Sequence, residues 1–258
     1  MKRFLSTLLS GLAVLGGIVL ACVTSTAALA ENAGYLDKLP FTCGLILVIA
    51  GLAVLLATWL PRKNQTNIRT LSMAALFAAL SYVGFTYFKI DIPVPGAGST
   101  AFHLGNVFCV LGALFLGSFW GGMAGAVGLT IADLMDPKYI TSAPKTFFLK
   151  LCIGVIAGLV AHKVFKVSKE SPRKLPLPVA TVLSCSAGML FNVVADPLVG
   201  YFYKMYVLGI PQDFAKTLAK LNSITTLVNA IIAVIAASIL YLAIRPALKR
   251  TRLLPHVE

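Results

Sequence analysis

Apolar residues run in long blocks, separated by short polar or basic stretches. The blocks cover residues 4–30, 41–60, 71–88, 104–134, 147–161, 178–201 and 224–244. A helix that crosses a bilayer needs about 20 apolar residues, with a range near 17–25. The pattern therefore predicts membrane-spanning helices along the whole chain. It lacks the alternating segments of about ten residues that build a membrane barrel. Block 104–134 is too long for one crossing. Its 31 residues, at about 1.5 Å each, would reach roughly 46 Å, against a hydrocarbon core of about 30 Å. Its centre runs from Gly117 through Ser118, Phe119 and Trp120 to Gly121 and Gly122, which reads as a tight turn. Splitting the block there predicts two short spans, and eight spans in all.

Basic residues support the split. With it, fourteen Lys and Arg fall on the side of the N-terminus and seven on the other; without it the division is ten to eleven. Cytoplasmic loops carry the Lys/Arg excess, so both termini are expected to be cytoplasmic. The first block admits two readings. Lys2 and Arg3, a long apolar stretch and then Ala28-Leu29-Ala30 fit either an uncleaved span or a signal-like leader with a cleavage site. The stretch Val19 to Cys22 is also a faint lipobox. Either way the downstream topology is the same. The expected organisation is an N-terminal hydrophobic segment (1–60), a polar cytoplasmic linker (61–69), a six-span body (70–246) and a basic tail (247–258).

Composition narrows the class. The chain is 58% hydrophobic and 12% charged, with a mean hydropathy of +0.88. Soluble domains average about 45–50% apolar and about 25% charged, so a soluble domain is excluded, and so is a disordered chain. The net charge of +13 would suggest nucleic acid in a soluble protein. Here the basic residues sit at the ends of apolar blocks, so the bilayer is the expected partner and nucleic acid is not. The five cysteines lie inside apolar blocks without a CxxC spacing and read as small buried hydrophobes. No Gly-Lys pair occurs, hence no P-loop, and neither HExxH nor GxSxG is present. No enzymatic activity and no cofactor are expected.

Polar residues inside spans are costly and mark candidate sites. In the predicted topology they gather toward the outer ends of the body. His103 and Asn106 open its second span, and Asp133 and Asp136 close the third. Lys145 opens the fourth, with Lys150 further in. Asn192 and Asp196 share a face of the fifth at i and i+4, and Asn222 and Asn229 lie on the sixth. Together they predict a pocket for a small polar molecule, because amides donate and accept without a counter-charge. Aromatics at that level, including Phe85, Tyr87, Phe88, Tyr139 and Tyr201 to Tyr203, fit either ring stacking or an interfacial belt. The stretch 89–100, with Pro93, Pro95, Gly96 and Gly98, reads as a connector or a lid. Small residues at Ala74/Ala78, Ala75/Ala79 and Gly121/Gly125 permit close helix packing, internal or with a partner. Asp133, Lys150 and Asp196 also leave open a self-sufficient, proton-coupled secondary transporter.

The body resembles a known family. Its core reads His103-Leu104-Gly105-Asn106, Leu114 to Gly117, Trp120 to Gly125, Gly128 to Leu134 with Ala132-Asp133, Ala143 to Phe147, and Lys150 to Gly158. This is similar to the substrate-binding S components of energy-coupling factor (ECF) transporters, in the branch with riboflavin-, pyridoxine- and hydroxymethylpyrimidine-type members. The resemblance covers roughly residues 68–246. It implies an all-α, six-helix membrane bundle, here preceded by two extra N-terminal hydrophobic helices, in a bacterial plasma membrane. It implies capture of a small water-soluble vitamin or precursor. It further implies delivery inward with a transmembrane coupling protein and two ABC ATPases. Under that reading His103, Asn106, Asp133, Tyr139, Lys145, Lys150, Asn192, Asp196 and Asn229 are expected at the ligand, and the Ala74, Ala75, Ala78 and Ala79 faces at the coupling protein.

Overall fold

The computed structural model describes residues 68–94, 98–168 and 175–251. The two expected N-terminal spans, the leader alternatives and most of the predicted linker lie outside the described residues. The body is helical, with one β-ribbon. Helix α1 (Ile68–Thr86) leads into strands β1 (Lys89–Val94) and β2 (Gly98–His103). These pair antiparallel, from Lys89 opposite His103 to Val94 opposite Gly98. Then follow α2 (Gly105–Met135), a 3-10 turn (Ile140–Ser142), α3 (Ala143–Leu159), α4 (Leu177–Phe202) and α5 (Gln212–Arg250). α3 and α4 each end in a π turn, Val160–Val164 and Tyr203–Val207. α1 thus begins inside the expected 61–69 linker, and α5 runs through Pro246 into the expected tail.

Five of these helices are long and apolar enough to cross a membrane, and α2 makes two crossings. Its helical conformation breaks at Gly117, with φ 81° and ψ −176°, a region that only glycine enters without strain. The arms on either side fold back on each other. A side chain on Gly121 would strike the backbone of Ala113, and one on Gly125 would strike Cys109. The split read from span length is therefore present, and the Gly121/Gly125 pair serves packing within the chain. The described residues thus form a six-crossing, all-α membrane body, as the block pattern predicts for 70–246.

α2 forms the centre of the bundle. Leu111, Leu114, Phe115, Leu116 and Leu129 on its two arms are fully buried. Glycines let the neighbours approach: Gly128 lies against the backbone of Ala78 on α1, and Gly154 and Gly158 on α3 lie against Gly122 and Ser118. The expected alanine face on α1 divides accordingly. Ala74 is buried and Ala78 packs against Gly128, so that half faces inward, whereas Ala75 and Ala79 are exposed. Large apolar side chains such as Leu76, Leu190, Val194, Ile235 and Ile239 are also exposed, on the surface that lipid covers.

The two ends of the bundle differ in charge. The described carboxylates, Asp91, Asp133, Asp136, Asp196 and Asp213, all lie at the end that bears the ribbon. The opposite end, where α1 begins and α3 and α5 finish, has only basic groups among the described residues: Arg69, Lys163, Lys166, Arg245, Lys249 and Arg250.

The tight α1–α2 crossing predicts that Gly128→Val, whose Cβ would overlap the Ala78 carbonyl, costs about 1–3 kcal/mol through overpacking. Ala75→Leu on the exposed face should stay within about 0.5 kcal/mol. Thermal unfolding of the protein in lipid nanodiscs compares the two. Equal midpoints would show that α1 is not held by this contact.

Candidate substrate-binding site

A cavity of about 80 Å³ opens at the ribbon end, between the ribbon and the ends of α2 to α5. All nine residues nominated from sequence line it. His103 comes from the end of β2. Asn106 and Asp133 come from opposite ends of α2, and the fold-back at Gly117 brings them to one level. Tyr139 precedes the 3-10 turn, with Lys145 and Lys150 on α3. Asn192 and Asp196, one turn apart, come from α4, and Asn229 from α5. Of the aromatics, Phe85 and Tyr139 reach the cavity, whereas Tyr87 and Phe88 are exposed and Tyr203 donates to the Thr141 carbonyl at 2.8 Å. Thr100, Thr146, Lys204, Thr225 and Thr226 also line it and were not singled out in the sequence. Thr225 and Thr226 fall between Asn222 and Asn229 on the same stretch of α5, which was the available signal.

Few of the polar groups are alike in their use. Lys145 Nζ pairs with Asp196 Oδ1 at 2.5 Å, tying α3 to α4. Thr146 Oγ1 donates to the buried Asp133 Oδ2 at 2.5 Å. Lys150, buried, donates to Asn192 Oδ1 at 3.4 Å. Asn229 is spent on the ribbon: its Oδ1 accepts the His103 N–H and its Nδ2 donates to the Ala101 carbonyl, both at 3.0 Å. His103 Nδ1 accepts the Gly105 N–H at 3.2 Å, which places its proton on Nε2. Burial and then the nearby Lys150 push the imidazole pKa down to about 3, so it is neutral. Two buried amide atoms have no partner, Asn106 Oδ1 and Asn192 Nδ2. Such orphans cost about 1–3 kcal/mol each unless something in the cavity completes them.

The ribbon covers one side of the cavity and is latched at both edges. Thr100 Oγ1 meets Asn222 Oδ1 at 3.1 Å and Thr225 Oγ1 at 2.8 Å. On the other edge Lys89 pairs with Asp136. Lys138 Nζ and the Tyr139 hydroxyl both bind Asp91, at 2.6 and 2.9 Å. Partial burial pushes the Asp91 carboxyl up, but hydrogen bonds from Lys138 and Tyr139 outweigh it and hold it below the usual value. At Asp136 burial acts the same way and is outweighed by Lys89. Burial and then the hydrogen bond to Asp91 raise the Tyr139 phenol.

Residues 65–246 match the family described as ECF-type riboflavin transporter, S component. No curated protein and no solved structure matches the chain.

The latch has a defined pH range. Both carboxyls titrate below the unfolded value of about 3.9, so their contribution is complete above that pH and is lost as pH falls through the lower folded values. Hydrogen exchange of the β1 and β2 amides should therefore be unchanged from pH 5 to 8, after correction for intrinsic rates, and rise only below about 4. Asp91→Asn should raise it at pH 7 by roughly fivefold, the equivalent of about 1 kcal/mol for a half-buried ion pair. No change would show that Thr100 and Asn229 hold the ribbon unaided.

Proposed function

The chain belongs to the ECF-type riboflavin transporter S-component family, and from that premise we propose that its cavity captures a small heteroaromatic vitamin or vitamin precursor. Membership makes it a membrane-embedded, substrate-binding subunit of vitamin uptake. The observation that carries the finer reading is the cavity with its two unpaired buried amide atoms, on Asn106 and Asn192. A ligand with a ring nitrogen and hydroxyl groups satisfies both an open acceptor and an open donor. Phe85, edge-on to both His103 and Tyr139, supplies an aromatic wall. The size supports one ring over three. At about 10–15 Å³ per water, the cavity holds roughly six waters, the space of a pyridoxine- or hydroxymethylpyrimidine-like molecule. A riboflavin-sized ligand would require the ribbon to move.

The charge segregation supports the orientation. The basic end faces the cytoplasm under the positive-inside rule, which turns the cavity and its ribbon outward. With no nucleotide-binding motif in the chain, energy enters through partners: a transmembrane coupling protein and two ABC ATPases. The exposed Ala75/Ala79 half of α1 is the docking face in this reading, since Ala74 and Ala78 are used inside the bundle.

The test is a mild-detergent pull-down of the tagged chain from its native membrane, with proteins and released small molecules identified by mass spectrometry. Two ATPases, a coupling protein and a co-eluting single-ring vitamin are expected. Recovery of the chain alone after cross-linking overturns the partnership. Asn192→Ala should weaken binding of the recovered ligand at least tenfold and leave the fold intact. Ala75→Trp or Ala79→Trp should abolish uptake yet spare binding. Normal uptake in both would remove this face from docking.

A further inference from the structure

The charges around the cavity do not balance. Lys145, Lys150 and Lys204 line it against Asp133 and Asp196, so three ammonium groups face two carboxylates. The ion pairs formed among the described residues take up Lys145 and Asp196 and leave Lys150 and Lys204 without a carboxylate within 4.0 Å. Asp133 is held by the Thr146 hydroxyl and by no lysine. Lys150 is the telling group. It is 6% exposed, and its one hydrogen bond is the long contact to Asn192 Oδ1 at 3.4 Å. An ammonium carries three donors, so two remain open.

Asn192 extends the same face. Because the lysine can only donate, the atom it meets must be the amide oxygen, which fixes the amide's orientation. The nitrogen is then turned away from Lys150, and it is buried without a partner. Lys150 Nζ and Asn192 Nδ2 are thus adjacent donors on one wall of a cavity, both buried and both lacking an acceptor. His103 adds a third donor, because its proton is on Nε2 and its ring lines the cavity.

Resting on the capture reading above, we propose that the ligand carries an acidic group, a phosphate monoester or a carboxylate, seated on Lys150 and Asn192. The five charges around the cavity sum to +1, which a carboxylate balances and a phosphate monoester, at about −1.5 to −2 near pH 7, more than offsets. An anion there also converts the open donors into charge-assisted hydrogen bonds, which are about twice as strong as neutral ones. A neutral ligand would leave an uncompensated ammonium buried in the bundle, a cost that an apolar membrane interior makes severe.

The experiment uses the full chain in nanodiscs and equilibrium dialysis at pH 7 against matched pairs. Three pairs differ by a phosphate: pyridoxine, hydroxymethylpyrimidine and riboflavin, each with its 5′-phosphate or phosphomethyl counterpart. Two differ by a carboxylate: nicotinamide with nicotinate, and pyridoxal with 4-pyridoxate. At least one charged member should bind tenfold or more tighter than its neutral twin, and the arm in which this occurs identifies phosphate or carboxylate. Lys150→Met should abolish that preference, read as the ratio of charged-twin to neutral-twin affinity within the variant. Lys150→Arg, with the charge kept, should retain a preference and controls for damage to the fold. Equal or tighter binding of the neutral members overturns the charge assignment and leaves the capture reading standing. Absence of binding by every compound overturns both.

Discussion

Lys145 and Asp196 meet at 2.5 Å on the wall of the cavity, one from each of two neighbouring membrane helices. In hydrocarbon, where no water is at hand, a charge is tolerated only beside a partner or a cavity. That constraint arranges the whole polar end. Asp133, Lys145, Lys150 and Asp196 are drawn to the same place, and each must be answered by a neighbour or by whatever fills the space between them. The pair at α3 and α4 closes one such account. Asp133 leans on Thr146, and Lys150 leans weakly on Asn192. The charges are thus matched between α3 and α4 and left open at Lys150.

The cavity exists because α2 is bent double. A straight helix of this length would carry Asn106 and Asp133 to opposite faces of the bilayer. The conformation of Gly117 returns the second arm alongside the first, and glycines and alanines along the seam let the arms touch. Close packing replaces the hydrophobic effect as the source of helix adhesion in lipid. The most crowded contacts accordingly lie among residues with little or no side chain.

Much of this was legible in the chain. Span length alone demanded a break in block 104–134, and glycines marked where. The site residues were legible for a related reason: Asn, Asp and Lys inside apolar blocks have few explanations other than a shared polar space. The ribbon was not legible. Its stretch carries two prolines and two glycines, a turn composition that hides six paired residues on each side. Its seating depends on Thr100 meeting Thr225, and on Asn229 meeting the backbone of Ala101 and His103, across more than a hundred positions of sequence. The division of the alanine face also escaped a reading by spacing. Both halves have the same residue type, and only the position of Gly128 decides which half turns inward.

A two-stranded ribbon has two outer edges, and only its inner one is paired strand to strand. Asn229 takes up the His103 N–H and the Ala101 carbonyl on the β2 edge, and the remaining outward N–H and C=O groups need hydrogen bonds that acyl chains cannot supply. The ribbon must then ride at the level of lipid headgroups and water, and it acts as a float line for the molecule. The cavity lies beside the ribbon and so opens near that level. Below it the bundle is filled mainly by apolar side chains, with a few buried hydroxyls such as Ser184 and Ser238 among them.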